Sequence, residues 1–222
     1  MKVLVLIDSG GRHDVVPECL EECQRQCALV EAEGKYSFEI VLNDKGRDVF
    51  MEWDQDADSI PDFCLWVGHD LSFRDDAIAS FLSDSEFLRH RAIITGSVVS
   101  DERRIVCGGR SKRGRIVEPD PVIPVPCHLY DTALLFVPRH AFRKVATPSD
   151  IFRQSFFDYG CGEKAFRAGV ARVVAPGIMA HVSHAPDESV WKDGSRPLPE
   201  RAVSLARATV REMLRIIHSI IR

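Results

Sequence analysis

The sequence predicts an α/β domain built on a mostly parallel central sheet flanked by helices. Short apolar runs alternate along the chain with segments of helical periodicity, and this alternation is typical of parallel sheets. Most of the apolar runs end in loops rich in Asp, Asn and Gly. The 222-residue chain is 45% hydrophobic and 28% charged, so it is long enough for one large core and has an ordinary globular composition.

In the first half, four apolar runs have the length and composition of strands. Three helices are predicted between them: one capped by Asp14 with Pro17 in its first turn, a weak one, and one that opens at Asp75–Asp76. In chain order we expect a strand at Lys2–Ile7, a helix to about Glu33, a strand at Tyr36–Leu42, a weak helix at Val49–Asp58, a strand from Phe63 that ends at Asp70, a helix through Leu82 and a strand at Ala92–Val99.

The second half has a different organisation. Glu118–Pro126 carries four prolines, which favours an extended connector over a helix or a central strand. The other expected elements are a strand and turn at Ile105–Arg110, a strand at Leu134–Val137, a short helix after Pro138–Arg139, a helix through Ala168–Gly169, and a strand at Ala171–Ala175 that Pro176–Gly177 turns toward His181 and His184.

The chain from Pro199 onward keeps the apolar spacing of one long amphipathic helix, with Arg207, Arg211 and Arg215 on a second face. A basic amphipathic helix fits an anionic membrane surface, which would make the protein membrane-peripheral. The helix carries no Trp or Phe, which weakens the membrane case; the other explanation is a terminal helix docked on its own domain or on a partner, as in an oligomer. We therefore divide the chain into one domain at 1–196, with halves 1–100 and 101–196, and a C-terminal helix at 197–222.

Charge and cysteine usage exclude several classes of protein. The net charge of −4 gives no basic signal for nucleic acid, and no window has the length of a membrane span. The start resembles a first strand more than a signal peptide. Seven cysteines, an odd number, predict reduced thiols in a cytoplasmic protein. Cys19, Cys23 and Cys27 would share one helix face, where packing in the core is favoured over a metal site.

Three acidic loops follow strands and should meet at one edge of a parallel sheet. They contain Asp8, Asp44 and Asp70, and the last follows Gly68 and His69. Ligands of open α/β sheets bind at this edge, and carboxylates there suit a cation with a phosphate-bearing ligand. The alternative is that turns are simply rich in these residue types.

Several segments in order resemble family 2 glycosyltransferases with the GT-A fold, up to about Trp191. The strongest is Ser155–Gly177, in which an acidic residue opens a helix that ends in arginine-alanine-glycine before a strand. Leu65–Asp70 resembles the strand that leads into the acidic metal motif, and Glu39–Gly46 resembles the nucleotide-binding strand and loop. The segments that resemble the acceptor-side blocks of small bacterial members are Gly108–Arg110, Val122–Cys127 and Leu135–Arg139.

The sequence also departs from the family at its donor motifs. Gly68 and His69 stand where members usually carry asparagine and a second aspartate, and Lys45 replaces the second aspartate of the nucleotide loop. The stretch His128–Ala133 departs from the usual pattern as well, and the stretch from Asp44 to Phe63 is shorter than usual. The scaffold of the family is therefore expected to be intact while the donor site is altered.

The resemblance implies an inverting glycosyltransferase that moves a sugar from a nucleotide-sugar donor to a glycan or lipid-linked acceptor, as in polysaccharide biosynthesis. It implies Asp158 as catalytic base, with helix N-cap as the alternative role. It implies Mn²⁺ or Mg²⁺ as cofactor, held by Asp70 with His69 and His181. The donor-binding residues it implies, each with a plain turn role as its alternative, are Asp8, Asp44, Asp70 and Arg110.

Two other functions remain open. The altered motifs at Gly68, Lys45 and Ala133 fit a catalytically impaired binding protein on the same scaffold. Ser9–Arg12 is a short segment that partly resembles the glycine-rich phosphate loop that a nucleotidyltransferase would need.

Overall fold

A computed structural model of the chain describes residues 1–8, 16–43, 60–144, 160–182, 197–203 and 206. Besides the helical residues 198–203 and 206, four helices lie within these residues, namely α1 (Val16–Glu31), α2 (Ala77–Phe87), α3 (Arg139–Phe142) and α4 (Gly160–Arg167). The strands are β1 (Lys2–Asp8), β2 (Ser37–Asn43), β3 (Phe63–Gly68), β4 (Leu71–Phe73), β5 (Ala92–Ser100), β6 (Ile105–Cys107), β7 (Gly109–Arg110), β8 (Val125–Pro126), β9 (Leu129–Tyr130), β10 (Leu134–Pro138) and β11 (Ala171–Val182).

Nine of these strands form one sheet within the described residues, with the path β2-β1-β3-β10-β5-β11-β4. The pairs β1–β2, β1–β3 and β5–β11 are parallel, while β10 runs antiparallel to both of its neighbours. β6 and β8 add to β5 and β11, and β7 pairs with β9 in a separate two-stranded sheet. The predicted α/β fold with a mostly parallel sheet is confirmed.

Both faces of the sheet are covered, because successive residues of a strand point to opposite sides. In β1, Val3, Val5 and Ile7 pack in one core cluster, and Leu4 and Leu6 pack in the other. The first cluster contains the inner faces of α1 and α2, and the second contains residues of α3 and α4. The structure therefore has three layers, with helices on each side of the sheet.

The inner face of α1 carries the three cysteines that recur every four residues. Cys19, Cys23 and Cys27 are all buried in the first core cluster. Small apolar side chains at this spacing cover one helix stripe, which is the role that the sequence favoured for them. Burial raises the pKa of the Cys27 thiol to about 12.

The structure differs from the sequence prediction at β11. The strand was expected to stop at Ala175, but it continues to Val182, and Pro176 and Gly177 form an irregularity within it. Gly177 has a φ of +68°, a backbone conformation that glycine adopts without strain. Arg74 fastens this segment because its Nη1 donates to the carbonyls of Pro176 and Ile178 at 3.4 Å each.

A second difference is β4, which follows Asp70 directly and pairs antiparallel with the end of β11. The predicted helix at 49–58 lies outside the described residues. In the C-terminal segment, residues 198–203 and 206 are helical, and the rest of that predicted helix lies outside the described residues. Among the described residues, no helix combines the length and the apolar character that are needed to cross a bilayer.

Candidate functional site

The carboxyl ends of β1, β2 and β3 lie side by side at one edge of the sheet. Asp8 at the end of β1 is in register with Asn43 on one side and with Gly68 on the other. Two of the three predicted acidic loops, those of Asp8 and Asp70, therefore leave the sheet from adjacent strands. Asp44, which follows Asn43, lies outside the described residues.

His69 links the β3 loop to the end of β1. Its Nδ1 lies 2.9 Å from the carbonyl oxygen of Asp8. A carbonyl only accepts hydrogen bonds, so Nδ1 must carry the proton in this contact. In a neutral ring this leaves Nε2 with a lone pair, so His69 has to bind a cation through Nε2, and a hydrogen bond to a phosphate oxygen would need a proton on that nitrogen.

Asp70 is exposed at the tip of this loop, and β4 begins with the next residue. The pairing of β4 with β11 places His181 opposite Ser72, two residues beyond Asp70. His181 is also exposed. The predicted ligands are thus brought to neighbouring strands by long-range pairing.

These residues do not form a closed metal site in the structure. Across the part of the chain that the structure describes, no group of three His, Cys, Asp or Glu side chains lies close enough together to hold a metal ion. The set of Asp70, His69 and His181 is therefore not assembled as a cluster of three ligands. The donor types do fit a divalent cation that takes its other ligands from a bound diphosphate, since Mn²⁺ accepts both carboxylate oxygen and imidazole nitrogen.

The loop of residues 68–70, which follows β3, is held by the segment that enters β10 and by α1. The amide of Gly68 donates to the carbonyl of Ala133 at 2.8 Å, and its own carbonyl accepts from the Cys19 thiol at 3.7 Å. A β-carbon at Gly68 would meet its nearest neighbour, the Ala133 oxygen, at 3.4 Å, which is ordinary contact. Close packing therefore does not require a glycine at this position.

The structure gives Arg110 an environment that differs both from the donor contact that the sequence predicted and from its alternative, an exposed turn. The side chain is only 1% exposed, and its Nε donates to the two carboxylate oxygens of Asp131 at 3.2 and 3.0 Å. Its Nη1 donates to the carbonyl of Gly114 at 3.2 Å. A guanidinium that is buried and engaged in this way does not fit the predicted direct contact with a diphosphate.

Sequence reasoning missed a second polar pair, that of His128 and Glu163, in the second half of the chain. His128 Nε2 lies 3.1 Å from the Glu163 carboxylate, and the imidazole ring packs against Phe166. The hydrogen bond with His128 lowers the pKa of Glu163, and the bond from Arg167 adds to this effect. His128 and Glu163 are 35 residues apart, and no local pattern in the sequence joins them.

Asp158, the predicted base, and His184 lie outside the described residues. The helix that the resemblance places after Asp158 is present as α4, and it packs beside β9 and β11. Gly162 of this helix lies so close to Leu129 that an added β-carbon would stand 2.7 Å from its Cα. A glycine is therefore required where α4 crosses β9.

No protein-family model and no curated protein matches the sequence. Solved structures do resemble the fold. S. aureus TarS 1–349 in complex with UDP-GlcNAc matches with a TM-score of 0.50 at 10% identity, over 84% of this chain and 59% of that one. The same TarS segment without a named ligand gives a TM-score of 0.48 at 10% identity, over 92% and 68% of the two chains. GalNAc-T7 with UDP, GalNAc and Mn²⁺ gives 0.46 at 9% identity, over 89% and 45%.

The fold is GT-A-like. In the sheet of this chain, β10 runs antiparallel between β3 and β5, which are parallel to each other. The chain covers 59% of the length of the TarS segment solved with UDP-GlcNAc. At 10% identity, this likeness concerns the fold alone.

Proposed function

We propose that this chain is a glycosyltransferase that moves a sugar, with inversion, from a nucleotide-sugar donor to a glycan or lipid-linked acceptor. The observation that carries the proposal is the alignment of Asp8 with Gly68 at the carboxyl edge of a GT-A-like sheet. Ligands of open α/β sheets bind at this edge. The likeness of the fold to a TarS structure that holds UDP-GlcNAc supports a uridine-type donor.

In this proposal different residues contact the nucleotide and the cation. The loops of Asp8 and Asp44 contact the nucleotide. Asp70 holds a divalent cation through its carboxylate, with His69 Nε2 and His181 beside it. When bound, such a cation would neutralise negative charge on the leaving diphosphate. Arg110 is left out of the donor site because its guanidinium is buried against Asp131.

Asp158 acts as the base that takes the proton from the acceptor hydroxyl. A base of this kind contributes about 10²- to 10⁴-fold to the rate. The acceptor oxygen attacks the anomeric carbon while the bond to the diphosphate breaks, so the configuration at that carbon inverts.

Calorimetry tests the donor site. UDP and UDP-GlcNAc are titrated into the wild-type protein with Mn²⁺, and the titrations are repeated with Asp70→Ala. We expect affinity to fall by at least about tenfold in this variant. The control is Glu33→Ala, which removes an exposed carboxylate in the turn between α1 and β2, at the opposite edge of the sheet. Equal affinities for the three proteins would contradict the assignment of Asp70.

Donor hydrolysis tests the base. Asp158→Asn keeps the size of the side chain and removes its basicity, so turnover should fall by about 10²-fold or more while UDP affinity stays unchanged. Turnover at the wild-type rate would remove Asp158 from this role.

A catalytically impaired binding protein is the second candidate, and the altered β3 loop favours it. His69 stands at the place of a family carboxylate, and the described residues hold no three-ligand cluster. This candidate predicts that the wild-type protein binds UDP-GlcNAc but neither hydrolyses nor transfers the sugar. Measurable turnover would exclude it.

A further inference from the structure

Arg110 and Asp131 form a buried ion pair, and burying two charged side chains costs free energy of folding. The side chains are 2% and 10% exposed, and the Arg110 Nε to Asp131 Oδ2 distance is 3.0 Å. Removing two charges from water is expensive, and well-packed apolar residues often stabilise a fold equally well or better. Stability alone therefore gives a weak reason for this pair.

The pair fixes the chain segment that enters β10. Besides Arg110, the Asp131 carboxylate accepts a hydrogen bond from the amide of Gly108 at 3.2 Å. The main chain of Asp131 is fastened as well, because its amide donates to the Gly108 carbonyl at 2.9 Å and its carbonyl accepts from Thr95 Oγ1 at 3.3 Å. Residue 131 is thus tied through side chain and backbone to β5 and to the β6–β7 connection.

Two residues farther along, the same segment supports the candidate donor site. The carbonyl of Ala133 accepts the hydrogen bond from the Gly68 amide at 2.8 Å, and Leu134 then pairs with Val67 in the sheet. Gly68 opens the loop that carries His69 and Asp70. A continuous chain of contacts therefore leads from the buried guanidinium to the loop that the proposed function assigns to the cation.

We propose that Arg110 and Asp131 are positioning residues for the Gly68–Asp70 loop. They hold the Ala133 carbonyl where it fixes the amide of Gly68, and they touch neither donor nor cation. Misplacement of a binding group by about 1 Å is enough to weaken a site of this kind. The inference rests on the proposed function for its ligand, but the positioning itself can be measured without one.

The variant for the test is the double replacement Arg110→Met/Asp131→Leu, which removes both charges and leaves neither partner buried alone. The single replacement Arg110→Met would strand the Asp131 carboxylate and endanger folding. Arg110→Lys keeps the charge and gives up the planar fork, so an intermediate effect is expected. The control Lys35→Met/Glu86→Leu removes an ion pair of 2.5 Å whose side chains are 49% and 40% exposed.

Hydrogen exchange is the first readout. In the double variant, the peptide that contains Gly68 should exchange about tenfold faster than in the wild type, while β1 peptides and the urea midpoint stay close to wild type. The second readout is the Kd for UDP with Mn²⁺, which should rise by about tenfold. The control variant should change neither quantity, and Arg110→Lys should recover part of both.

The outcomes separate the two proposals. A folded double variant with wild-type exchange at Gly68 would overturn the positioning role, whatever its affinity. Faster exchange at Gly68 with an unchanged Kd would also overturn it for the donor site. If the wild type binds no UDP while exchange at Gly68 still accelerates in the double variant, the proposed function fails and the support of the loop stands.

Discussion

Asp84 on α2 should lower the free energy of unfolding of the protein as the pH rises. Its Oδ2 is buried and has no hydrogen-bond partner among the described residues. Burial raises the pKa of Asp84 to about 6, and the nearby Arg74 charge opposes this shift only in part. In the folded protein this carboxyl therefore holds its proton more tightly than the same group in an unfolded chain.

The sign of the effect follows from proton binding. Between the ordinary aspartate pKa of about 3.9 and a pKa of about 6, the folded state binds more protons than the unfolded state, so the contribution of Asp84 to the free energy of unfolding falls as pH rises. A shift of about two pKa units corresponds to at most about 3 kcal/mol, and solvent screening of a half-buried group reduces this to on the order of 1 kcal/mol. Above about pH 6 the carboxyl is ionised in both states, and the loss of unfolding free energy caused by Asp84 has reached its full size.

Urea unfolding of the wild type and of Asp84→Asn at pH 4 and pH 8 tests this reasoning. The two proteins should be about equally stable at pH 4, and the variant should be more stable by on the order of 1 kcal/mol at pH 8. Comparison of variants at each pH cancels the other titrating groups. Asp101→Asn, an exposed aspartate, is the matched control and should show no pH-dependent difference. A stability difference for Asp84→Asn that is the same at both pH values would refute the argument.

Two further predictions concern packing. Gly109→Ala should destabilise the protein by about 1–3 kcal/mol or more, because the new β-carbon would stand 2.2 Å from Val174 Cγ2. Gly68→Ala is its control, since the nearest atom there is 3.4 Å away, and its cost should stay within about 1 kcal/mol in thermal or urea unfolding. Equal costs would show that the contacts of Gly109 relax freely. The six cysteines with described side chains are all buried, so Ellman's reagent should modify them only after denaturation. Rapid labelling of more than one thiol in the native protein would contradict this burial.

The parts of the fold that the sequence predicted are those with a local, periodic signal. Continuous apolar runs such as Val3–Ile7 and Phe63–Val67 predict strands that are buried on both faces, and both faces of β1 are indeed in the core. The four-residue spacing from Cys19 to Cys27 predicts one helix face. Such patterns involve residues that lie close together in the sequence, so they can be recognised without the structure.

The missed elements depend on partners distant in the chain. Leu71–Phe73 is three residues long, too short to show a period, and it becomes a strand only because β11 pairs with it. Arg110 is separated by 21 residues from Asp131, and only the folded chain places the two charges together. The sequence alone therefore assigned Arg110 to a donor contact, with an exposed turn as the alternative. The assignments of Asp44 and Asp158 stay predictions, since both residues lie outside the described part of the chain.

His69 shows why a departure from a family pattern cannot be judged from ligand chemistry alone. An ionised aspartate at this position would be an acceptor only, so it could not donate to the Asp8 carbonyl as Nδ1 of His69 does at 2.9 Å. Compared with the aspartate of the family pattern, His69 offers no carboxylate at this position and instead links the end of β1 to the loop that follows β3. Replacing it with aspartate would add a charge near Asp70 and remove that link at the same time. The loop of residues 68–70 is thus better described as differently anchored than as simply lacking a carboxylate.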